Sequence, residues 1–448
     1  MIENKIQWIR DNSHLCVWPF KNYDYRMGQN KLKITVCCNL DLSMIDNEID
    51  TDFIESMKHE IIQEKKLPAA CHLCSSVEKT GAQSERIKFF VGNEDKLSLK
   101  FSQDFKSGEF QVGMKFSNKC NLACRSCNEY DSSLWSEKMR KPLHYIERNS
   151  QYDIAENPRY WQSMTDMIRK KYSKTDDFSI HPIGGETMIQ PGFQKLLSWM
   201  IDENLAANTR ILLTTSLAVN LEEWRETFLK FKEVALLGSV DSVHENYHYV
   251  RWPAKFSRIQ RNLEEIEKVE KLFPGKYRLF ITPVFSLNNI FYITDFLDFW
   301  FEWSNKNNIQ VTLQTTHINR PRPLMVESLR SEYIGQLIPI IESAIAHPFF
   351  KQTNRPEIEV QLEYFKSMLS ILKNTTDVSD KFFTDYLKFT ADYDKRTETS
   401  SRILNSRLFD LLSPQDLEIY DNYYKVVDVA RPVYNINYDI EDFHHSTN

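Results

Sequence analysis

The sequence predicts an α/β protein built on a parallel sheet. The evidence is the alternation of strand-like and helix-like segments and their helical apolar stripes. From about residue 111, short apolar runs alternate with segments of helical periodicity, the pattern of successive strand–helix units. The units follow one another without an internal repeat or a low-complexity tract. The predicted strands are Gln111–Ser117, Phe178–Gly185, Thr209–Leu217, Glu233–Asp241, Tyr277–Ser286 and Asn308–His317.

The helical segments between these strands carry apolar stripes at helical spacing. Pro191 is suited to the first turn of a helix, and the apolar residues after it recur at i, i+3, i+4, i+7 and i+8. A second stripe runs from Phe256 to Val269 and stops before the helix-breaking pair Pro274-Gly275. The residues of the first stripe are Phe193, Leu196, Leu197, Met200 and Ile201.

The chain divides by pattern into three predicted regions, residues 1–110, 111–325 and 326–448. The first contains a hairpin-like start at Lys31–Cys37 and one amphipathic helix around Asp52–Lys65. The last is predicted to be mainly helical and is rich in aromatic and acidic residues.

Composition indicates a soluble globular protein of 448 residues, with 42% hydrophobic and 26% charged residues. Net charge is −6 and no Lys/Arg block dominates, so bulk nucleic-acid binding is not predicted. The N-terminus lacks the pattern of a signal peptide, and acidic residues interrupt apolar stretches such as 290–303, so no membrane partner is expected. We therefore expect a cytoplasmic protein, in which eight cysteines favour metal or cluster ligation over disulfides.

Three of these cysteines, Cys120, Cys124 and Cys127, form a C-x3-C-x2-C run in one predicted loop. This spacing allows three thiolates to face one inorganic centre. Three sulfur ligands leave one iron of a [4Fe–4S] cluster without a protein ligand, and that iron can bind a small molecule. Taken alone, the spacing also suits a zinc loop.

Polar residues follow the predicted strands at the edge where ligands gather in α/β folds. Gly184, Gly185 and Glu186 end the second strand, and Thr215 ends the third. Ser239 and Asp241, two residues apart, end the fourth and are expected to point the same way. The plain alternatives are a turn at the glycines and a helix cap after the fourth strand. The full set of these candidates is Gly184, Gly185, Glu186, Thr215, Ser239 and Asp241.

In this order, the cysteine run, the Gly-Gly-Glu and the Ser-x-Asp resemble the radical SAM superfamily. The resemblance implies a partial (β/α)6 TIM-like barrel over residues 111–325, with a [4Fe–4S] cluster on Cys120, Cys124 and Cys127. It further implies that S-adenosylmethionine binds the open iron. Its methionine amino group would meet Gly184, Gly185 and Glu186, its ribose Ser239 and Asp241, and its carboxylate Thr215.

The activity implied by the resemblance is reductive cleavage of S-adenosylmethionine to methionine and a 5′-deoxyadenosyl radical. That radical then abstracts hydrogen from a substrate, which is a peptide or protein, or alternatively a small molecule. An electron donor such as flavodoxin or ferredoxin is implied. The competing hypothesis is a non-catalytic iron–sulfur protein that serves electron transfer or regulation.

Two positions depart from the family pattern. Ser126 stands before the third cysteine, where the family usually has an aromatic residue beside the adenine, and Tyr130 or backbone contacts would replace it. The asparagine that often follows the threonine of the third strand is absent after Thr215, where Ser216 stands. Both departures favour the non-catalytic alternative.

A second cysteine group comprises Cys16, Cys37, Cys38, Cys71 and Cys74. A C-x2-C near further cysteines is a metal-site pattern that suits zinc or an iron–sulfur cluster. The string resembles the twitch half of SPASM-type auxiliary domains, although here it precedes the barrel. The resemblance implies an auxiliary [4Fe–4S] cluster on Cys37, Cys71 and Cys74, with Cys16 preferred over Cys38 as the fourth ligand. Zinc is the alternative.

No catalytic proton donor or acceptor is assigned. His181 and His244 lie near the predicted site and are as well explained by packing. Arg320 and Arg322 follow the last strand and would suit an anionic group, or simply the surface. Gln314 and His317 end the last strand, whereas His72, between two predicted metal ligands, is expected to be structural.

Overall fold

The structure is a computed structural model, and the described part of the chain has several gaps. No helix in this part is both long enough and apolar enough to cross a bilayer. The described residues are 2–16, 18–28, 31–37, 40, 51–79, 84, 86–87, 109–141, 154–175, 177–318, 321–351, 356–374 and 380–436.

The elements alternate between strand and helix through the middle of the chain. The strands are β1 (Asn22–Gly28), β2 (Lys31–Thr35), β3 (Glu109–Lys115), β4 (Asp177–Ile183), β5 (Thr209–Thr215), β6 (Glu233–Gly238), β7 (Tyr277–Ile281), β8 (Val284–Phe285), β9 (Val311–Leu313) and β10 (Thr316–His317).

The helices flank these strands and dominate the C-terminal part. They are α1 (Ile2–Asp11), α2 (Trp18–Lys21), α3 (Asp52–Ile62), α4 (His72–Lys79), α5 (Ser133–Lys138), α6 (Pro158–Tyr172), α7 (Pro191–Asp202), α8 (Arg225–Phe228), α9 (His244–Val250), α10 (Phe256–Leu272), α11 (Ile293–Asn307), α12 (Ser331–Ala346), α13 (Pro356–Asn374), α14 (Asp380–Thr397), α15 (Ser401–Leu404), α16 (Ser406–Phe409) and α17 (Pro414–Val426).

The chain forms two compact units. The first unit comprises Met1–Asn118, His144–Thr214 and Glu226–Ala235, and the second unit comprises Lys119–Leu143, Thr215–Arg225 and Leu236–Asn448.

In the first unit the strands β1, β3, β4 and β5 are joined by parallel pairs, and β2 pairs antiparallel with β1. The register places Lys115 opposite Ile183 at the carboxyl ends of β3 and β4. Inward residues such as Val112 and Ile180 are fully buried, which is typical of strands covered by helices. The N-terminal hairpin therefore extends the parallel sheet rather than standing apart from it.

In the second unit β7 and β9 pair in parallel, and β8 and β10 form a separate two-stranded parallel sheet. The predicted strands Tyr277–Ser286 and Asn308–His317 are thus each divided in two. Pro283, which has no backbone N–H for a ladder, separates β7 from β8.

The two predicted apolar stripes are confirmed. Helix α7 begins at Pro191 and buries Phe193, Leu196, Leu197 and Met200. Helix α10 buries its predicted stripe from Phe256 to Val269. Stripes of this width face the core because the opposite side of each helix is polar.

The strand ends were predicted too far along the chain. β4 ends at Ile183, two residues before Gly185, and β6 ends at Gly238, so Ser239 and Asp241 follow the strand instead of lying on it. The mixed α/β class with parallel strands is confirmed. The six-fold partial barrel and the three domain boundaries stay predictions.

Candidate functional site

The loop of residues 119–128 carries Cys120, Cys124 and Cys127 and contains no helix or strand. On one side it is held by backbone hydrogen bonds to the end of α9 and the residues after it. The N–H of Ala123 donates to the carbonyl of Trp252 at 2.8 Å, and the N–H of Arg125 donates to that of Val250 at 3.0 Å. These two bonds fix the backbone on both sides of Cys124.

On the other side, the start of α5 holds the same loop. The hydroxyl of Ser133 accepts from the N–H of Cys120 at 3.1 Å. Ser132 caps α5 by accepting from the N–H of Trp135, and its hydroxyl also donates to the carbonyl of Leu122 at 2.5 Å. A helix cap and the cysteine loop therefore share one serine.

The three thiols differ in exposure. Cys124 is buried, whereas Cys120 and Cys127 are half-buried. Burial, and after it the neighbouring groups of Cys124, Asp131 and Cys120, raise the pKa of Cys127 well above its ordinary value. Cys127 thus lies within electrostatic range of the other two thiols, as a ligand of a shared centre must.

A guanidinium lies beside the buried thiol. Nη1 of Arg251 is 3.6 Å from Sγ of Cys124, and its Nε donates to Oδ2 of Asp241 at 2.7 Å. The other carboxylate oxygen of Asp241 accepts from the N–H of Val284 at 2.9 Å. A fixed cation at this distance favours the thiolate form of Cys124, which is the form that binds metals.

A second arginine, Arg125, lies within the cysteine run and is 1% exposed. Its Nε donates to the carbonyl of Tyr249 at 3.0 Å, and its Nη2 donates to Asp394 of α14 and to the Thr399 hydroxyl. Its guanidinium carbon lies 3.7 Å from the ring centre of Tyr249 and 4.3 Å from that of Tyr393. Arg125 therefore ties the cysteine loop to the C-terminal helices.

Asp394, the partner of Arg125, is fully buried. Its carboxylate also accepts from the N–H of Ser401 at 2.7 Å and from the hydroxyls of Tyr420 and Thr399 at 2.6 and 2.8 Å. A buried charge is tolerated only when its hydrogen-bonding capacity is filled in this way. No local pattern could have indicated this pair, because its members are 269 residues apart.

An iron–sulfur cluster suits this donor set by its chemistry, since three thiols share one anchored loop and one of them faces a cation. In the conformation described, no three His, Cys, Asp or Glu side chains among the described residues are arranged so that they could hold a metal ion.

The Gly-Gly-Glu lies in the first unit, directly after β4. Gly184 and Gly185 have φ of 86° and 55°, in the left-handed region that favours glycine. A Cβ at Gly184 would lie 2.5 Å from the side chain of Lys115, so the turn has no room for one. Glu186 is 1% exposed, and its carboxylate accepts from the N–H of Met188.

The candidates after β5 and β6 lie in the second unit. The hydroxyl of Thr215 accepts from the N–H of Leu217 at 3.1 Å, and its carbonyl accepts from the N–H of Ser239 at 2.8 Å. Ser239 is half-buried, and its hydroxyl makes no hydrogen bond with the residues that the structure describes. Ser239 and Asp241 therefore differ in hydrogen bonding, because both carboxylate oxygens of Asp241 already accept hydrogen bonds within the protein.

The two histidines singled out from the sequence have contacts within the protein. His181 lies on β4 and makes hydrogen bonds on both sides, with Nδ1 3.3 Å from the Gln111 amide and Nε2 3.1 Å from the Thr214 hydroxyl. His244 packs edge-on against Phe256 and Phe299, with ring centres 5.6 and 6.1 Å away.

Three further candidates are placed at the surface or on aromatic rings. Tyr130, the proposed substitute for an aromatic residue at Ser126, is 40% exposed. Arg322 lies over the ring of Phe382 at 4.6 Å, and Gln314 is exposed. Arg320 and Cys38 lie outside the described residues, as do the side-chain surroundings of His317.

The second cysteine group lies in the first unit. Cys16, Cys71 and Cys74 are buried and Cys37 is half-buried. Burial, with a smaller contribution from Cys74 and against the effect of a backbone hydrogen bond, raises the pKa of Cys16 to about 12. Burial, and then Cys16 and Cys74, also raise the pKa of Cys71. These three thiols lie close enough to interact, whereas His72 is exposed.

A buried arginine again holds the cysteine segment. Nη1 of Arg86 donates to the carbonyl of Leu15, next to Cys16, at 2.8 Å. Its Nε donates to Glu78 of α4 at 3.0 Å, and Nη2 donates to the same carboxylate. Since α4 also carries Cys74, Arg86 joins the segments that carry Cys16 and Cys74.

No family model matches this chain, and no curated protein matches it. Among solved structures, native anSMEcpe with bound AdoMet and Cp18Cys peptide is similar over 53% of this chain and 61% of its own, at 15% identity and a TM-score of 0.33. Native anSMEcpe with bound AdoMet is similar over the same shares, at 16% identity and a TM-score of 0.34. The chain thus spans about three fifths of these proteins, which are anaerobic sulfatase-maturating radical SAM enzymes. TM-scores this low do not establish a shared fold.

Proposed function

We propose that this chain is a radical SAM enzyme that acts on a peptide or protein. The observation that carries the proposal is the anchored loop of Cys120, Cys124 and Cys127, with the Arg251 guanidinium 3.6 Å from the Cys124 sulfur. These three thiolates would hold a [4Fe–4S] cluster and leave one iron open. When bound, the cluster supplies the electron that cleaves S-adenosylmethionine to methionine and a 5′-deoxyadenosyl radical.

The chain's own residues would prepare the site for this ligand set. Arg251 places a positive charge 3.6 Å from Sγ of Cys124, which favours the thiolate that would bind the metal. Asp241 orients Arg251, and Arg125 holds the backbone between the second and third cysteines.

Binding of S-adenosylmethionine is assigned to groups at the ends of the strands. The Cβ-free turn of Gly184 and Gly185 allows close approach of the backbone, and the Glu186 carboxylate suits an ammonium group. The Ser239 hydroxyl suits a ribose. We include Thr215 and Asp241 among the residues proposed to bind S-adenosylmethionine. Asp241 would act mainly by orienting Arg251.

We further propose an auxiliary metal centre on Cys16, Cys37, Cys71 and Cys74. The electrostatic interaction among Cys16, Cys71 and Cys74 supports Cys16 as a ligand. A [4Fe–4S] cluster would exchange electrons with the main centre or anchor substrate, and an external donor such as flavodoxin or ferredoxin would reduce the protein. Measuring the zinc and iron content of the purified wild-type protein and of Cys71→Ala distinguishes a zinc site from an iron–sulfur cluster.

The test of the main proposal is anaerobic reconstitution with iron and sulfide, reduction with dithionite and assay for 5′-deoxyadenosine from S-adenosylmethionine. Cys124→Ala should abolish the product. Iron bound at the loop without 5′-deoxyadenosine would contradict the enzyme and favour the non-catalytic alternative.

A further inference from the structure

The buried hydroxyl of Tyr393, on α14, is a polar group that the mechanism has not yet used. The residue is fully buried, and its hydroxyl has no hydrogen-bond partner within the described part of the chain. Burying a hydroxyl without a hydrogen-bond partner lowers the stability of the fold, so such a group calls for an explanation. One explanation is a ligand that accepts its hydrogen bond.

Tyr393 lies next to the loop that carries the three cysteines. Its ring centre lies 4.3 Å from the guanidinium carbon of Arg125, which directly follows Cys124 in the loop. Asp394, the next residue on α14, binds the same guanidinium. The ion pair therefore holds the Tyr393 ring against the cysteine loop.

The charges around Tyr393 agree with this position. Burial raises the pKa of its phenol well above the ordinary value, and Cys124 and Cys127 raise it further against the opposing effect of Arg125. A tyrosine hydroxyl is protonated at neutral pH, and the effect of Cys124 and Cys127 shows that this phenol lies within electrostatic range of two of the three thiols. A protonated phenol near anionic sulfur is a hydrogen-bond donor.

We propose that the Tyr393 hydroxyl donates a hydrogen bond to a sulfur atom of the centre held by Cys120, Cys124 and Cys127. This inference rests on the cluster site of the proposed function and not on the cleavage of S-adenosylmethionine. Hydrogen bonds to the sulfurs are among the factors that set the potential of an iron–sulfur centre. Because the reduced centre carries more negative charge, the bond stabilises the reduced form and raises the midpoint potential. Tyr393 is thus a positioning and tuning residue.

The test compares reconstituted wild type with Tyr393→Phe, which removes only the hydroxyl. The midpoint potential is measured by electron paramagnetic resonance during redox titration, on the signal that disappears in Cys124→Ala. We expect the potential of Tyr393→Phe to shift to a more negative value. In the metal-free protein the same variant should keep or raise the melting temperature, because an unpartnered hydroxyl is removed.

Tyr386→Phe is the matched control on the same helix. Tyr386 is also fully buried, but its hydroxyl lies 3.4 Å from the Leu287 carbonyl and accepts from the Asn405 amide at 3.3 Å. This variant should lower the melting temperature of the metal-free protein and leave the midpoint potential of the centre unchanged.

The outcomes separate the two proposals. An unchanged or more positive potential in Tyr393→Phe, or destabilisation of the metal-free protein equal to that of Tyr386→Phe, would overturn the inference alone. A loaded wild type that forms no 5′-deoxyadenosine but shows the expected shift would overturn the proposed function and leave the inference standing. Wild type that binds no iron at the loop would overturn both.

Discussion

The two cysteine groups are anchored by the same device and differ in exposure. In each, a buried arginine joins the segment that carries a cysteine to a carboxylate on a helix, Arg125 with Asp394 and Arg86 with Glu78. In the loop group two of the three thiols are half-buried, whereas Cys16, Cys71 and Cys74 are all buried.

The difference in exposure suits the two groups to different kinds of metal centre. A partly exposed centre with three thiols can accept an exogenous ligand, whereas a buried set of thiols suits a closed centre. The guanidinium of Arg251, at the thiol of Cys124, adds a cation to the open group. Substitutions in the Arg125–Asp394 pair and in the Arg86–Glu78 pair test separately whether each arginine anchors its own cysteine group.

The largest effect is expected from Asp394→Asn. The Arg125–Asp394 pair is buried at 1% and 0% exposure, and removing one partner of such a pair costs about 3–5 kcal/mol because the other charge stays buried. We expect this loss in urea unfolding of the metal-free protein, together with faster alkylation of Cys124. Asp421→Asn, in the exposed pair with Arg402, is the control and should cost less than about 1 kcal/mol. An equal loss of unfolding free energy in Asp394→Asn and Asp421→Asn would show that the Arg125–Asp394 pair does not anchor the loop.

A smaller effect is expected from Arg86→Met. Glu78 is 12% exposed and water can solvate it when Arg86 is lost, so the cost should be about 2 kcal/mol. Alkylation of Cys16, followed by mass spectrometry, should accelerate while that of Cys124 stays constant. Acceleration at both thiols would show that the two anchors are not separate.

Arg251→Met tests the cation at the open group. Loss of a positive charge 3.6 Å from Sγ disfavours the Cys124 thiolate, so its alkylation at pH 8 should slow about tenfold. Arg322→Met, which removes a guanidinium lying over Phe382, should leave that rate unchanged. A rate that does not change in Arg251→Met would remove Arg251 from the site.

The smallest effect concerns the closed group and needs no substitution. Because burial raises the pKa of Cys16 to about 12, its thiolate fraction should still be rising at pH 10. The alkylation rate of Cys16 in the metal-free protein should therefore increase through pH 10 without a plateau. A plateau near pH 9 would show an unburied, ordinary thiol.

Local patterns predicted the strands, two helical stripes and the cysteine run, because each depends on neighbouring residues. The ends of the strands were misplaced because polar residues after β6 continue the strand's alternation, although the strand stops at Gly238. Tertiary contacts were not predictable in this way. Arg125 is an ordinary surface residue by pattern, and only the folded chain brings Asp394 to it across 269 positions.

The most direct test of the account is the yield of 5′-deoxyadenosine from S-adenosylmethionine by the reconstituted, reduced protein, compared with Cys124→Ala and Cys16→Ala. Wild type should form the product, Cys124→Ala should form none, and Cys16→Ala should form the product and keep its loop iron. Iron bound by Cys120, Cys124 and Cys127 in wild type without any 5′-deoxyadenosine would contradict this expectation.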